Sequence, residues 1–204
     1  MMHLPKFENK NITSEELAAE ATRLPRQADK MLATTGVTDI FAKYGEVQPI
    51  GGSYSYGLMV YPDLDLDLIA DGVSKEDLAK LTSEIVGASF VRKVSVVDNV
   101  DFSGSRPGMP KGYWIGIEIP FENDRWGIDL WFKTKDWADD FDSTHDNYKK
   151  QLEKLTTKQK EEILLIKYHL IRLGIYTKAG FMSTDVYDAV LNGSNSFFTE
   201  YINK

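Results

Sequence analysis

The segment 52–68 reads Gly-Ser-Tyr-Ser-Tyr-Gly-Leu-Met-Val-Tyr-Pro-Asp-Leu-Asp-Leu-Asp-Leu. It joins a Gly-Ser turn to a strand with alternating aspartates. Side chains on a strand alternate between faces with period two. Asp63, Asp65 and Asp67 therefore share one face, and Leu64, Leu66 and Leu68 share the other. A leucine face is explained by a hydrophobic core. A row of carboxylates about 7 Å apart is not. The charges repel along the face, and Asp is depleted in strands to begin with. Carboxylates gathered in this way serve a cation, and their oxygens suit Mg²⁺ or Mn²⁺.

The rest of the composition narrows the possibilities. With 204 residues, 42% of them hydrophobic and 12% aromatic, the chain has enough material for one domain with an appendage or for two small domains. No stretch approaches the roughly 18 apolar residues that span a bilayer. Residues 1–22 lack the apolar centre of a secretion signal, so a cytoplasmic, membrane-free location is expected. Cysteine is absent, which excludes disulfides and thiolate metal sites. His3, His145 and His169 are scattered, against a zinc site. A net charge of −7 disfavours nucleic acid as a partner, because such binding needs a positive footprint. The oligomeric state is left open.

Along the chain, 14–24 has helical spacing with Ser14 as its cap, and a second helix is expected over 26–44. An extended segment at 47–51 enters the Gly-Ser turn. Strands are expected at 64–70, 91–100, 113–119 and 126–133, with a helix over 75–86 and a hairpin connection at 120–124. The segment 103–111 is broken by glycines and prolines and reads as a loop. Residues 136–146 are acidic and loop-like. Helices follow over 156–173, 184–191 and 197–202. This is an α+β class: a mixed β-sheet flanked by helices, with a helical C-terminal region. The division expected is 1–135, with 1–25 as an N-terminal helical extension, and 136–204.

Gly52-Ser53, nine residues, then Asp63-Leu64-Asp65 resembles the signature of the polymerase-β-like nucleotidyltransferase superfamily. Asp129, in Trp-Gly-Ile-Asp-Leu-Trp-Phe, sits where a third aspartate on a later strand would fall. The helical tail looks like that of small bacterial members of unassigned substrate. The resemblance implies transfer of NMP, with AMP expected, from an NTP such as ATP to an acceptor hydroxyl on a small molecule. Toxin-type members modify protein or RNA instead, and a catalytically silent nucleotide- or partner-binding domain is a further reading.

That chemistry needs charge neutralisation on a triphosphate and in-line approach of a hydroxyl. Two divalent ions held by carboxylates on rigid elements supply both. The resemblance assigns Asp63, Asp65 and Asp129 as the catalytic, metal-binding set, with Asp67 as a bystander. Three carboxylates about 6 Å apart would repel by roughly 3 kcal/mol per pair at an effective dielectric of about 20, and bound cations reverse that sign. Glu118 competes with Asp129 for the third place. Gly52 and Ser53 are expected to receive phosphate oxygens, glycine because backbone must approach closely. Arg92, Lys93, Arg125 and Lys133 are candidate triphosphate partners, and Lys167, Arg172 and Lys178 are candidates from the tail. Tyr54, Tyr56, Tyr168 and Trp131 are candidates for stacking on a base.

Overall fold

The computed structural model describes residues 12–102, 110–176 and 180–202, with the side chains of 140–148 and 201 left aside. Five strands form one mixed sheet in the order β1-β2-β5-β4-β3. β1 (Glu46–Val47) runs antiparallel to β2 (Asp63–Ala70). β2 runs parallel to β5 (Asp124–Thr134). β4 (Tyr113–Phe121) is antiparallel to β5, and β3 (Lys93–Asp98) is antiparallel to β4. The alternation of β2 is realised: Leu64, Leu66 and Leu68 are at most 2% exposed, beside Ile128, Leu130 and Phe132 of β5. The helices α1 (Ser14–Thr35), α2 (Val37–Phe41) and α4 (Lys75–Gly87) pack on that apolar face. The aspartates take the opposite face.

Several boundaries differ from the sequence reading. The two helices expected before residue 44 are largely one, because α1 runs through Pro25 to Thr35. A proline in a helix interior costs about 3 kcal/mol. Leu24, Ala28 and Met31, all fully buried, hold the helix together across it. Thr13 rather than Ser14 caps it, accepting from the Glu16 N–H at 3.1 Å while the Glu16 carboxylate accepts from the Thr13 N–H at 2.8 Å. The hairpin is tighter than expected, with only Glu122 and Asn123 between β4 and β5. Glu122 adopts φ 53, a conformation glycine usually fills, and Lys30 and Gln27 of α1 hold its carboxylate at 2.6 and 3.1 Å.

The acidic stretch expected as a loop at 136–146 is part of α5 (Lys135–Leu152). Asp136 in its first turn and Lys149 and Lys150 in its last complement the helix dipole, an arrangement that outweighs the poor helix propensity of Asp. Then come α6 (Thr157–Arg172), α7 (Ser183–Leu191), a short 3₁₀ turn (Asn195–Phe198) and α8 (Thr199–Ile202). Most of the 103–111 segment lies outside the described residues. No helix among the described residues is long and apolar enough to cross a membrane.

The apolar residues form two clusters. One lies under the sheet. The second joins α6 and α7 to Leu152 and Leu155, and it also takes in Leu17 and Ala21 from the start of α1 and Leu58 and Val60 from the segment before β2. α1 thus belongs to both.

Candidate active site

Parallel pairing of β2 with β5 brings the acidic residues together. Asp65 is the register partner of Asp129, and Asp63 is the partner of Gly127. Neighbouring strands lie about 4.8 Å apart, so Asp65 and Asp129 stand side by side, with Asp63 one alternation, about 7 Å, along β2. The trio the sequence singled out sits together on the face opposite the leucines.

The surroundings make their charge costly. Oδ1 of Asp63 and Oδ1 of Asp129 are both buried without a hydrogen-bond partner. Burial, then the charges of Asp129 and Asp65, holds the Asp63 carboxyl well above the usual carboxylate range, offset in part by the Tyr61 hydroxyl. Burial, then the charge of Asp65, pushes Asp129 up to about 7, offset in part by the Trp114 indole. Asp65 keeps solvent-accessible surface at the open side of the trio, yet protein mass crowds round it. That crowding raises its carboxyl, against the opposing pull of the Lys167 ammonium. Orphaned carboxylate oxygens that repel one another are the donor set a hard divalent cation requires. Among the described residues no three acidic or imidazole side chains already enclose a single point. Mg²⁺ does not need them to, because it takes one or two carboxylates and fills its octahedron with phosphate oxygens and water.

The Gly-Ser turn is built against this trio. It opens α3 (Gly52–Tyr56), a helix of little more than one turn. Gly52 adopts φ +60, and a Cβ placed on it would lie 1.8 Å from Asp65 Oδ2. Only glycine fits, and the fit puts half-buried backbone directly beside a carboxylate. The Gly51 N–H donates to the Asp65 carbonyl at 2.9 Å and fixes the turn to β2.

Behind the turn stands a polar cluster that sequence reasoning caught only in part. Lys167 on α6 is fully buried. Its ammonium donates to Ser53 Oγ at 2.8 Å, to the Leu58 carbonyl at 2.7 Å and, at 3.4 Å, to the Tyr187 hydroxyl. Tyr187 of α7 also shares a hydrogen bond with Ser53 Oγ at 3.0 Å. Burial works against the Lys167 charge, but the Tyr176 and Tyr187 hydroxyls and the Asp65 carboxylate outweigh it, so its pKa is raised. The signal in the sequence was a lysine among Ile163, Leu164, Leu170 and Ile171, at helical spacings that place it on an apolar face. Tyr187, Tyr61 and Trp114 carried no comparable signal.

Other candidates fall elsewhere. Lys133 is 1% exposed and pairs with Asp67 at 2.9 Å, so Asp67 faces a cation of its own. Glu118, the rival third carboxylate, is in a salt bridge with Arg92. Tyr54 donates to Asp29 on α1 at 2.6 Å, and Tyr168 is buried in the second core. Tyr56 packs at the margin of that core, and His169 is buried on α6. Trp131 is half-buried opposite Trp114. Arg172 is half-buried on α6, and Lys178 lies outside the described residues.

No protein-family model matches the sequence, and no curated protein matches it. Solved structures do match the fold. One is the structure of the non-canonical poly(A) polymerase complex GLD-2–GLD-3, with a TM-score of 0.55 and 15% sequence identity over 87% of this chain. The chain spans 56% of the length of that neighbour. The chain thus shares its fold, a mixed five-stranded sheet with flanking helices, with that poly(A) polymerase complex.

Proposed function

We propose that the chain is a metal-dependent nucleotidyltransferase that moves NMP, with AMP the expected group, from an NTP to a hydroxyl of a small molecule. The observation that carries this reading is the trio itself: Asp65 in register with Asp129, and the unpartnered, buried oxygens of Asp63 and Asp129. A silent binding domain would have no use for carboxyls held so far above their ordinary range.

Two Mg²⁺ ions bound by Asp63, Asp65 and Asp129 would offset the negative charge of the triphosphate and polarise its α-phosphorus. The backbone at Gly52 and the Ser53 hydroxyl orient phosphate oxygens, and Lys167 holds Ser53 in place from behind. Asp129 takes the proton from the acceptor hydroxyl. The freed oxygen forms its bond to the α-phosphorus. The bond from that phosphorus to the bridging oxygen breaks, and the electron pair leaves with pyrophosphate.

The test is binding of a non-hydrolysable NTP with and without Mg²⁺. Wild type should bind at least about tenfold tighter with the metal, and Asp65→Asn should lose that gain. Equal binding by the two proteins would sink the metal-site reading. The poly(A) polymerase neighbour favours a second reading, a polynucleotide acceptor, which the net charge of −7 opposes. Labelled NTP incubated with cell extract separates the two by the size of the product that gains label.

A further inference from the structure

A groove leaves the aspartates on the side away from the Gly-Ser turn. The turn abuts Asp65 from beyond β2, whereas the groove lies over β5, β4 and β3. Its floor is Gly116 and Gly127, the register partners of Asp129 and Asp63. Gly127 leaves the sheet bare beside Asp63, and Gly116, diagonal to it across β4 and β5, makes room for an aromatic ring. Trp114 forms one wall, lying so close over Gly116 that a Cβ there would meet its ring at 2.5 Å. Tyr61 and Pro62, just before Asp63, form the other. In-line displacement needs the attacking and leaving oxygens on opposite sides of the phosphorus. A phosphate seated at the turn and a hydroxyl seated in this groove meet that condition.

The rim is charged unevenly. Glu118 is neutralised by Arg92. Lys93 and Arg125, both on the groove, form no salt bridge among the described residues. Two uncommitted cations at the mouth of a narrow groove are unusual on a chain whose net charge is −7. A local field of this sign concentrates anions.

Resting on the nucleotidyltransferase reading, we propose that this groove is the acceptor subsite. It takes a small hydroxylated molecule that carries a phosphate or carboxylate, with the anion against Lys93 and Arg125 and the hydroxyl directed at Asp129.

The experiment uses the full chain, α-labelled ATP with Mg²⁺, and the low-molecular-weight fraction of cell extract, first passed over an anion exchanger to give retained and unretained pools. Label should enter the retained pool only. Treating that pool with phosphatase beforehand removes the acceptor if its anion is a phosphate and leaves it if it is a carboxylate. Lys93→Glu and Arg125→Glu should each raise the KM for the retained pool by roughly tenfold, with binding of non-hydrolysable NTP and Mg²⁺ unchanged. Ser95→Trp, which fills the groove from β3 without altering a charge, should abolish transfer with the same NTP binding. The inference is overturned if label enters only neutral molecules or polymers, if Ser95→Trp transfers normally, or if the charge reversals weaken NTP binding, for then the cations serve the triphosphate. Failure of wild type to bind Mg²⁺ and NTP would instead overturn the nucleotidyltransferase reading on which this one stands.

Discussion

Gly52 and Asp129 show how far single residues set the properties of this chain. Gly52→Ala meets two penalties at once, a positive φ and a carboxylate oxygen 1.8 Å from the new carbon. The left-handed conformation alone costs about 1–2 kcal/mol, so the melting temperature should fall by several degrees. Displacement of Asp65 should cut Mg²⁺-dependent NTP binding in the same protein. Asp129 makes a prediction in pH. Its carboxyl is raised from 3.8 to about 7, and Asp63 moves the same way. Between those values the folded chain holds protons that the unfolded chain has released, so stability falls as pH rises from about 4 to about 7. Metal-free protein should therefore melt at lower temperature toward neutral pH, and Asp129→Asn should flatten that slope. A melting series that is identical in the two proteins would contradict it. Glu84 and Asp77 move the other way, lowered by hydrogen bonds to Lys43 and Tyr44 and to Ser74, and their contribution is lost only as pH falls below the ordinary carboxylate range.

At the scale of elements, β2 was legible because its period-two pattern serves two masters with no residue to spare. β5 was legible because Ile128, Leu130 and Phe132 repeat the code. The pairing of the two strands was not, since no local pattern states which strand a neighbour will be. The resemblance supplied the third aspartate, and parallel register then put it beside Asp65. α5 was misread because its acidic composition resembles a loop, and helix termini with the right charges overruled composition. The join across Pro25 was missed because a proline ends most helices, and only the tertiary core could reveal that this one continues. The clamp between α3 and the tail follows from the same limit: a lysine on an apolar face signals burial without naming its partner. Lys167→Met leaves the Leu58 carbonyl without its donor and loosens Ser53. Such a loss should cost about 1–3 kcal/mol. Thermal melting should register it, and NTP binding should weaken even though Lys167 lies behind the turn.

The whole molecule is two hydrophobic cores sharing a helix. Leu17 and Ala21 face the tail while Leu24, Ala28 and Met31 face the sheet. Leu58 and Val60, which lead directly into β2, are also covered by tail helices. A chain ended at residue 135 would keep every strand and all three aspartates. It would also expose Leu17, Leu58 and Val60, three residues at most 3% exposed in the intact fold. That truncation should be insoluble or aggregated on refolding. A soluble, cooperatively melting product would show that the sheet core stands alone.

The alternation in β2 has a consequence for how errors are noticed. A slip of one residue against β5 would turn Asp63 and Asp65 inward and Leu64, Leu66 and Leu68 outward together. A molecule that has lost its acidic site by mispairing therefore displays a leucine row on its surface. Chaperones and proteases recognise such surfaces. The strand thus ties its acidic face to its apolar one, so a register error cannot spoil the first without uncovering the second.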